Sequence, residues 1–203
     1  ADAISAVPPF YFKPATLDAN VRCMAQIAGA APDLPFYYYH IPQMTGVQVD
    51  VASLLAAGGR VIPNLVGAKY SIHDVYNVQA AAELENGRFN LLFGSDEMLL
   101  SGLAAGAQGA VGTTYNFAAP VFNRIVDAFA ANDIATAQKH QGQMVQMIRL
   151  VAGYGGVPAF KAVMKFLGFD CGPVRLPLQS LTAQKEEELK ADLTRLGFFQ
   201  WIA

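Results

Sequence analysis

The chain has 203 residues, 53% of them hydrophobic and 15% charged, which permits a large buried core and excludes wholesale disorder. A formal charge of −2 leaves no basic surplus to neutralise phosphates, which argues against nucleic-acid binding as the main task. Two cysteines, Cys23 and Cys171, are too few for a disulfide scaffold and suit a reduced cytoplasm.

The first ten residues, ADAISAVPPF, lack a basic targeting segment and a starting Met, so the chain is expected to be processed or cut. Residues 3–7 read as a first buried strand. Residues 17–30 follow as a helix with Val21, Met24, Ala25 and Ala28 on one face. Further strands are expected at 36–41, 64–70, 89–93 and 107–112. Each is near-continuously apolar, as in a parallel sheet covered on both faces. Between them, Asp74 is placed to cap a helix that Asn86-Gly87 ends near Glu85. Asp96 is placed to cap another, with Leu99, Gly102 and Leu103 inward. The charge-free stretch 98–123 is broken by glycines, Gln108, Asn116 and Pro120, and reads as core rather than a membrane span.

From residue 118 onward only helical periods remain, at about 120–131, 134–152, 158–167 and 182–196. The loop GFDCGPVRLPL (168–178) interrupts them. The expected division is 1–117, an α/β region, and 118–203, a helical region. Tyr11, Tyr39, Lys69, Ser95 and Thr113 stand where apolar runs end, at intervals of 28, 30, 26 and 18 residues. Strand ends at such intervals converge on one mouth in a (β/α)8 TIM barrel. Five strands followed by helices are expected here, against the eight that such a barrel needs.

Lys69, in NLVGAKYS, ends an apolar run. Desolvation disfavours an ammonium, and a neutral amine attacks carbonyl carbon to form a Schiff base. The plainer reading is a lysine snorkelling from a strand end. Tyr39, in FYYYHIP, could move a proton beside that amine, or could simply be an aromatic with one wet end. His40 reads as a satisfied structural histidine. With no HExxH and no Cys/His cluster, no metal is expected. Asp96 and Glu97, in GSDEMLL, could accept hydrogen bonds from sugar hydroxyls or merely cap a helix.

Taken together, PPFYFKP (8–14), LPFYYYHIPQMTG (34–46), VGAKYSIHDVY (66–76), LLFGSDEMLLSGLAAGAQGAVGTTYN (91–116) and CGPVRLPL (171–178) resemble one family. It is the N-acetylneuraminate lyase subgroup of the dihydrodipicolinate synthase-like class I aldolases. The resemblance implies a TIM barrel, of which this chain carries strands four to eight and a helical extension. The family's first three βα units have no counterpart here. Either the native protein has them, or another chain supplies them, or the chain is an inactive fragment.

The resemblance also implies roles. Lys69 matches the Schiff-base lysine and Tyr39 the tyrosine that handles the C4 hydroxyl proton. Ser71, Gly94, Asp96, Glu97 and Thr113 match positions that hold the sugar chain. Tyr11 matches a tyrosine that reaches toward a neighbouring subunit's site in a homotetramer. The implied reaction is cleavage of N-acetylneuraminate to N-acetylmannosamine and pyruvate, with no cofactor beyond the covalent imine. No arginine follows Pro42 to hold a dicarboxylic substrate, which favours a sugar acid. A related aldolase for another 2-keto-3-deoxy sugar acid or for dihydrodipicolinate precursors is the alternative, and a non-catalytic fragment is the third reading.

Overall fold

The computed structural model describes residues 1–203. Its contacts divide the chain into two compact units, Ala1–Ser95 with Ser101–Val111, and Asp96–Leu100 with Gly112–Ala203.

The first unit is built on five parallel strands in chain order: β1 (Ile4–Ala6), β2 (Phe36–His40), β3 (Leu65–Tyr70), β4 (Asn90–Phe93) and β5 (Gly109–Ala110). This is the strand succession of a (β/α)8 barrel, of which five strands are present. The helices between them are α1 (Leu17–Ala28), α2 (Pro42–Thr45), α3 (Val51–Gly58), α4 (Val75–Glu83) and α5 (Leu99–Ala104). Thr16 caps α1, accepting from the Ala19 amide at 3.1 Å, and Asp18 complements the first turn. Asp50 caps α3 in the same way, through the Ser53 amide at 2.8 Å. At α4 the expected cap is not made. The Asp74 carboxylate instead accepts from the Tyr70 hydroxyl and from Asn77 Nδ2.

The expectation that both sheet faces are covered alike is also corrected. Along β2 and β4, buried and half-buried residues alternate. Phe36, Tyr38, Ala68, Tyr70, Leu91 and Phe93 are fully buried. On the opposite face Tyr37, Tyr39, Lys69, Asn90 and Leu92 stay half-buried. Alternation is the mark of a sheet whose two faces meet different surroundings. The pairing of β2 with β3 is irregular at one point: Phe36 is opposite Leu65, Tyr37 is opposite Gly67, and Val66 is left over.

The second unit is helical. It holds α6 (Tyr115–Ala130), α7 (Ile134–Gly153), α8 (Val157–Phe166), α9 (Ala183–Leu196) and α10 (Phe198–Trp201). Helix α6 starts five residues before the expected Pro120, which lies inside it at the cost of one helix bond. Helix α9 is capped by Thr182 and buries Leu189 and Leu193 as its period predicts. Arg124 Nη1 donates to the Trp201 carbonyl at 2.7 Å, tying α10 to α6. No helix is long and apolar enough to cross a membrane.

Candidate active site

The ends of β2, β3 and β4 bring four of the expected residues together in the first unit. Tyr39 and Lys69 are direct register partners. The Lys69 amine, Nζ, lies 3.9 Å from the centroid of the Tyr39 ring. A cation at that distance is drawn to the ring's negative face. Lys69 is half-buried rather than sealed from solvent.

Ser71 follows directly, its amide donating to the His40 carbonyl at 2.9 Å. Its Oγ is buried and has no hydrogen-bond partner within the protein. Such an atom is an exception that calls for an outside partner. Gly94 donates its amide to the Tyr70 carbonyl at 2.8 Å. A β-carbon on Gly94 would lie 2.0 Å from Ser71 Oγ and 3.2 Å from Lys69 Cε. Glycine is therefore what keeps the space beside the amine and the hydroxyl open.

Below this cluster lies a cavity of about 170 Å³ that Ser5, Tyr37, Lys69, Leu92 and Val111 help to line. Its Tyr37 hydroxyl donates to Asn90 Oδ1 at 3.0 Å. The bond spans β3 at Gly67, which pairs with both Tyr37 and Asn90. Tyr11, on the loop after β1, is 84% exposed and meets only Phe12 among aromatic rings, edge to face at 4.9 Å. On the other face, His40 is buried beside the rings of Tyr38 and Tyr70. Its Nδ1 has no partner, so it is not the fully satisfied histidine that the sequence suggested. Burial lowers its pKa to about 4, against a smaller upward pull from Asp74 and Asp50.

In the second unit Asp96 and Glu97 open a 3-10 turn, Asp96–Met98. The Asp96 side chain is buried. Its Oδ2 accepts from the Thr114 amide at 2.8 Å and from Thr114 Oγ1 at 2.6 Å. A β-carbon on Gly112 would fall 1.6 Å from Asp96 Oδ1, so the glycine lets the carboxylate in. Tyr115 lies near both acids. Burial and then the charges of Asp96 and Glu97 push its phenol far above the usual range, and its hydroxyl has no partner. Thr113 is exposed and lines a cleft of about 310 Å³ together with Phe117, Val157, Phe160, Met164 and Cys171. Thr114 lies in the quoted segment 91–116 without being singled out there, and Gln141, which also bonds the turn, lies in no motif. No group of three His, Cys, Asp or Glu side chains is placed to hold a metal ion.

The model of the dihydrodipicolinate synthetase family matches residues 1–196. The chain belongs to that family. Among curated relatives, the N-acetylneuraminate lyase of Rattus norvegicus is 40% identical over 204 residues, or 99% of this chain. The chain spans 64% of that relative's length. Two solved structures are similar. The N-acetylneuraminate lyase of Aliivibrio salmonicida has a TM-score of 0.92 at 38% identity, covering 97% of this chain and 65% of its own. That of Proteus mirabilis has a TM-score of 0.90 at 38% identity, covering 96% and 65%. The family assignment covers the strand ends of the first unit and the Asp96–Glu97 turn alike.

Proposed function

We propose that this member of the dihydrodipicolinate synthetase family is a class I aldolase that cleaves N-acetylneuraminate to N-acetylmannosamine and pyruvate. The observation that carries the reading is the Lys69 amine lying 3.9 Å over the ring of Tyr39, its register partner. An amine at a carbonyl and a phenol at the neighbouring hydroxyl are the two groups that a retro-aldol cleavage needs.

The Lys69 amine adds to the C2 ketone of the open-chain sugar acid and loses water, giving a protonated imine. Tyr39 relays the proton of the C4 hydroxyl, passing its own phenol proton to the substrate carboxylate as it accepts that one. The C3–C4 bond breaks, its electron pair enters the imine, and the aldehyde N-acetylmannosamine leaves. The enamine on Lys69 is protonated at C3, and water then releases pyruvate and the free amine. The protonated imine is the electron sink, so the sequence of steps calls on no cofactor.

Ser71 and Gly94 border the amine, and Ser71 supplies a hydroxyl without a protein partner for the sugar chain. Asp96, Glu97 and Thr113 are assigned to hydroxyls further along it. Tyr11 is assigned to the site of a neighbouring copy in a homotetramer, which its 84% exposure permits. A cytoplasmic setting fits two free cysteines. Borohydride reduction with pyruvate is expected to leave a 1-carboxyethyl group on the Lys69 nitrogen, read by peptide mass. Absence of the adduct, or its appearance on another lysine, overturns the proposal.

A further inference from the structure

The turn that begins at Asp96 is held from a distance by one side chain, Gln141, which lies in the middle of α7. Its Oε1 accepts from the Leu100 amide at 3.0 Å. Its Nε2 donates to the Asp96 carbonyl at 3.3 Å. The two bonds fix the amide's orientation, because reversing it would set oxygen against carbonyl and NH₂ against N–H. One planar group therefore closes both ends of the segment that carries Asp96 and Glu97. The Asp96 side chain is fixed independently, through Thr114, and is only 7% exposed.

We infer that Gln141 is a positioning residue that sets the Asp96–Glu97 turn for recognition of the sugar hydroxyls, an inference that rests on the sugar-acid reading above. A polyol is read by several acceptors at once, and each must sit within a few tenths of an ångström of its place to be worth its hydrogen bond. Glu97 is half-buried and sits one residue after the carbonyl that Gln141 holds. The unpartnered hydroxyl of Tyr115 lies near the same two acids, so the turn borders an unused donor as well. The Schiff-base step needs none of these contacts, so loss of Gln141 should separate sugar binding from amine chemistry.

The test compares the protein with its Gln141→Leu and Gln141→Glu variants in two assays. The first is borohydride trapping of pyruvate at Lys69. The second is a titration with N-acetylmannosamine followed by ligand-observed NMR. Gln141→Leu should weaken sugar binding about tenfold, as expected for lost hydrogen bonds, and leave the trapping rate within about twofold, well inside one such bond. Gln141→Glu keeps the acceptor for Leu100 but loses the donor to Asp96, so an intermediate loss is expected, and it decides the matter if the leucine variant does not fold.

Equal losses in both assays would mean that the glutamine merely supports the fold, and would overturn the inference. So would unchanged sugar binding in both variants, or no sugar binding by the unaltered protein. Failure of pyruvate trapping in the unaltered protein would instead overturn the Lys69 reading, and the sugar titration would still judge Gln141.

Discussion

Gly94 stands so close to Ser71 that one added carbon would come within 2.0 Å of the serine hydroxyl. The same carbon would press on Lys69 Cε at 3.2 Å. Gly94→Ala should therefore displace both groups. A misplacement of this size lowers a reaction rate about a hundredfold. The rate of pyruvate trapping at Lys69 checks it, with circular dichroism confirming that the sheet has formed.

Tyr39 contributes its ring to the amine and its hydroxyl to the reaction, and Tyr39→Phe separates the two. The ring beneath Lys69 remains, so the trapped pyruvate adduct should still form. Cleavage of N-acetylneuraminate, which needs the phenol to move a proton, should fall by about 10² to 10⁴. Parallel trapping and turnover assays would show that split. Equal loss in both would remove Tyr39 from proton transfer.

His40 gives the protein a pH-dependent stability. Its pKa in the folded chain is about 4, below the ordinary 6.5. The unfolded chain thus binds a proton that the folded chain refuses. The stability this group contributes is complete above pH 6.5 and is lost as pH falls toward 4. The loss is on the order of 3 kcal/mol at most. Urea midpoints at pH 7 and pH 4.5 measure it, and His40→Phe should flatten the difference between them.

Lys161 Nζ donates to the carbonyls of Cys171, Gly172 and Pro173, at 3.0, 3.3 and 2.9 Å. These bonds pin the irregular segment after α8. Lys161→Met should cost about 1–2 kcal/mol. It should also raise the rate at which a protease cuts between residues 168 and 178, measured by limited digestion of the native protein.

The strands were legible because each is a short apolar run closed by a polar residue. Lys69 stood out as a charge at the end of one of them. Helix α3 was not legible. Its sequence VASLLAAG is nearly all apolar and offers no polar face to give a period, and only Asp50 marks its start. The start of α6 was misplaced because proline favours a first turn, while here Thr114 is engaged by Asp96 and the helix forms ahead of Pro120. The role of Asp96 depends on Thr114, 18 residues on, and on the room left by Gly112. The place of Gln141 depends on bonds that span more than forty residues. Contacts of that kind belong to the tertiary fold and leave no local pattern.

The unpaired Val66 decides which way the amine points. With Leu65 opposite Phe36 and no extra residue, strict counting would set Ala68 against Tyr39 and Lys69 against His40. The charge would then be driven among packed aromatic rings, and a methyl group would occupy the mouth. A single leftover valine shifts the phase of the strand by one step. Drawing that valine into the ladder would exchange the faces of every residue downstream, so the chemistry of this chain hangs on how its residues are counted against β2 as much as on their kinds.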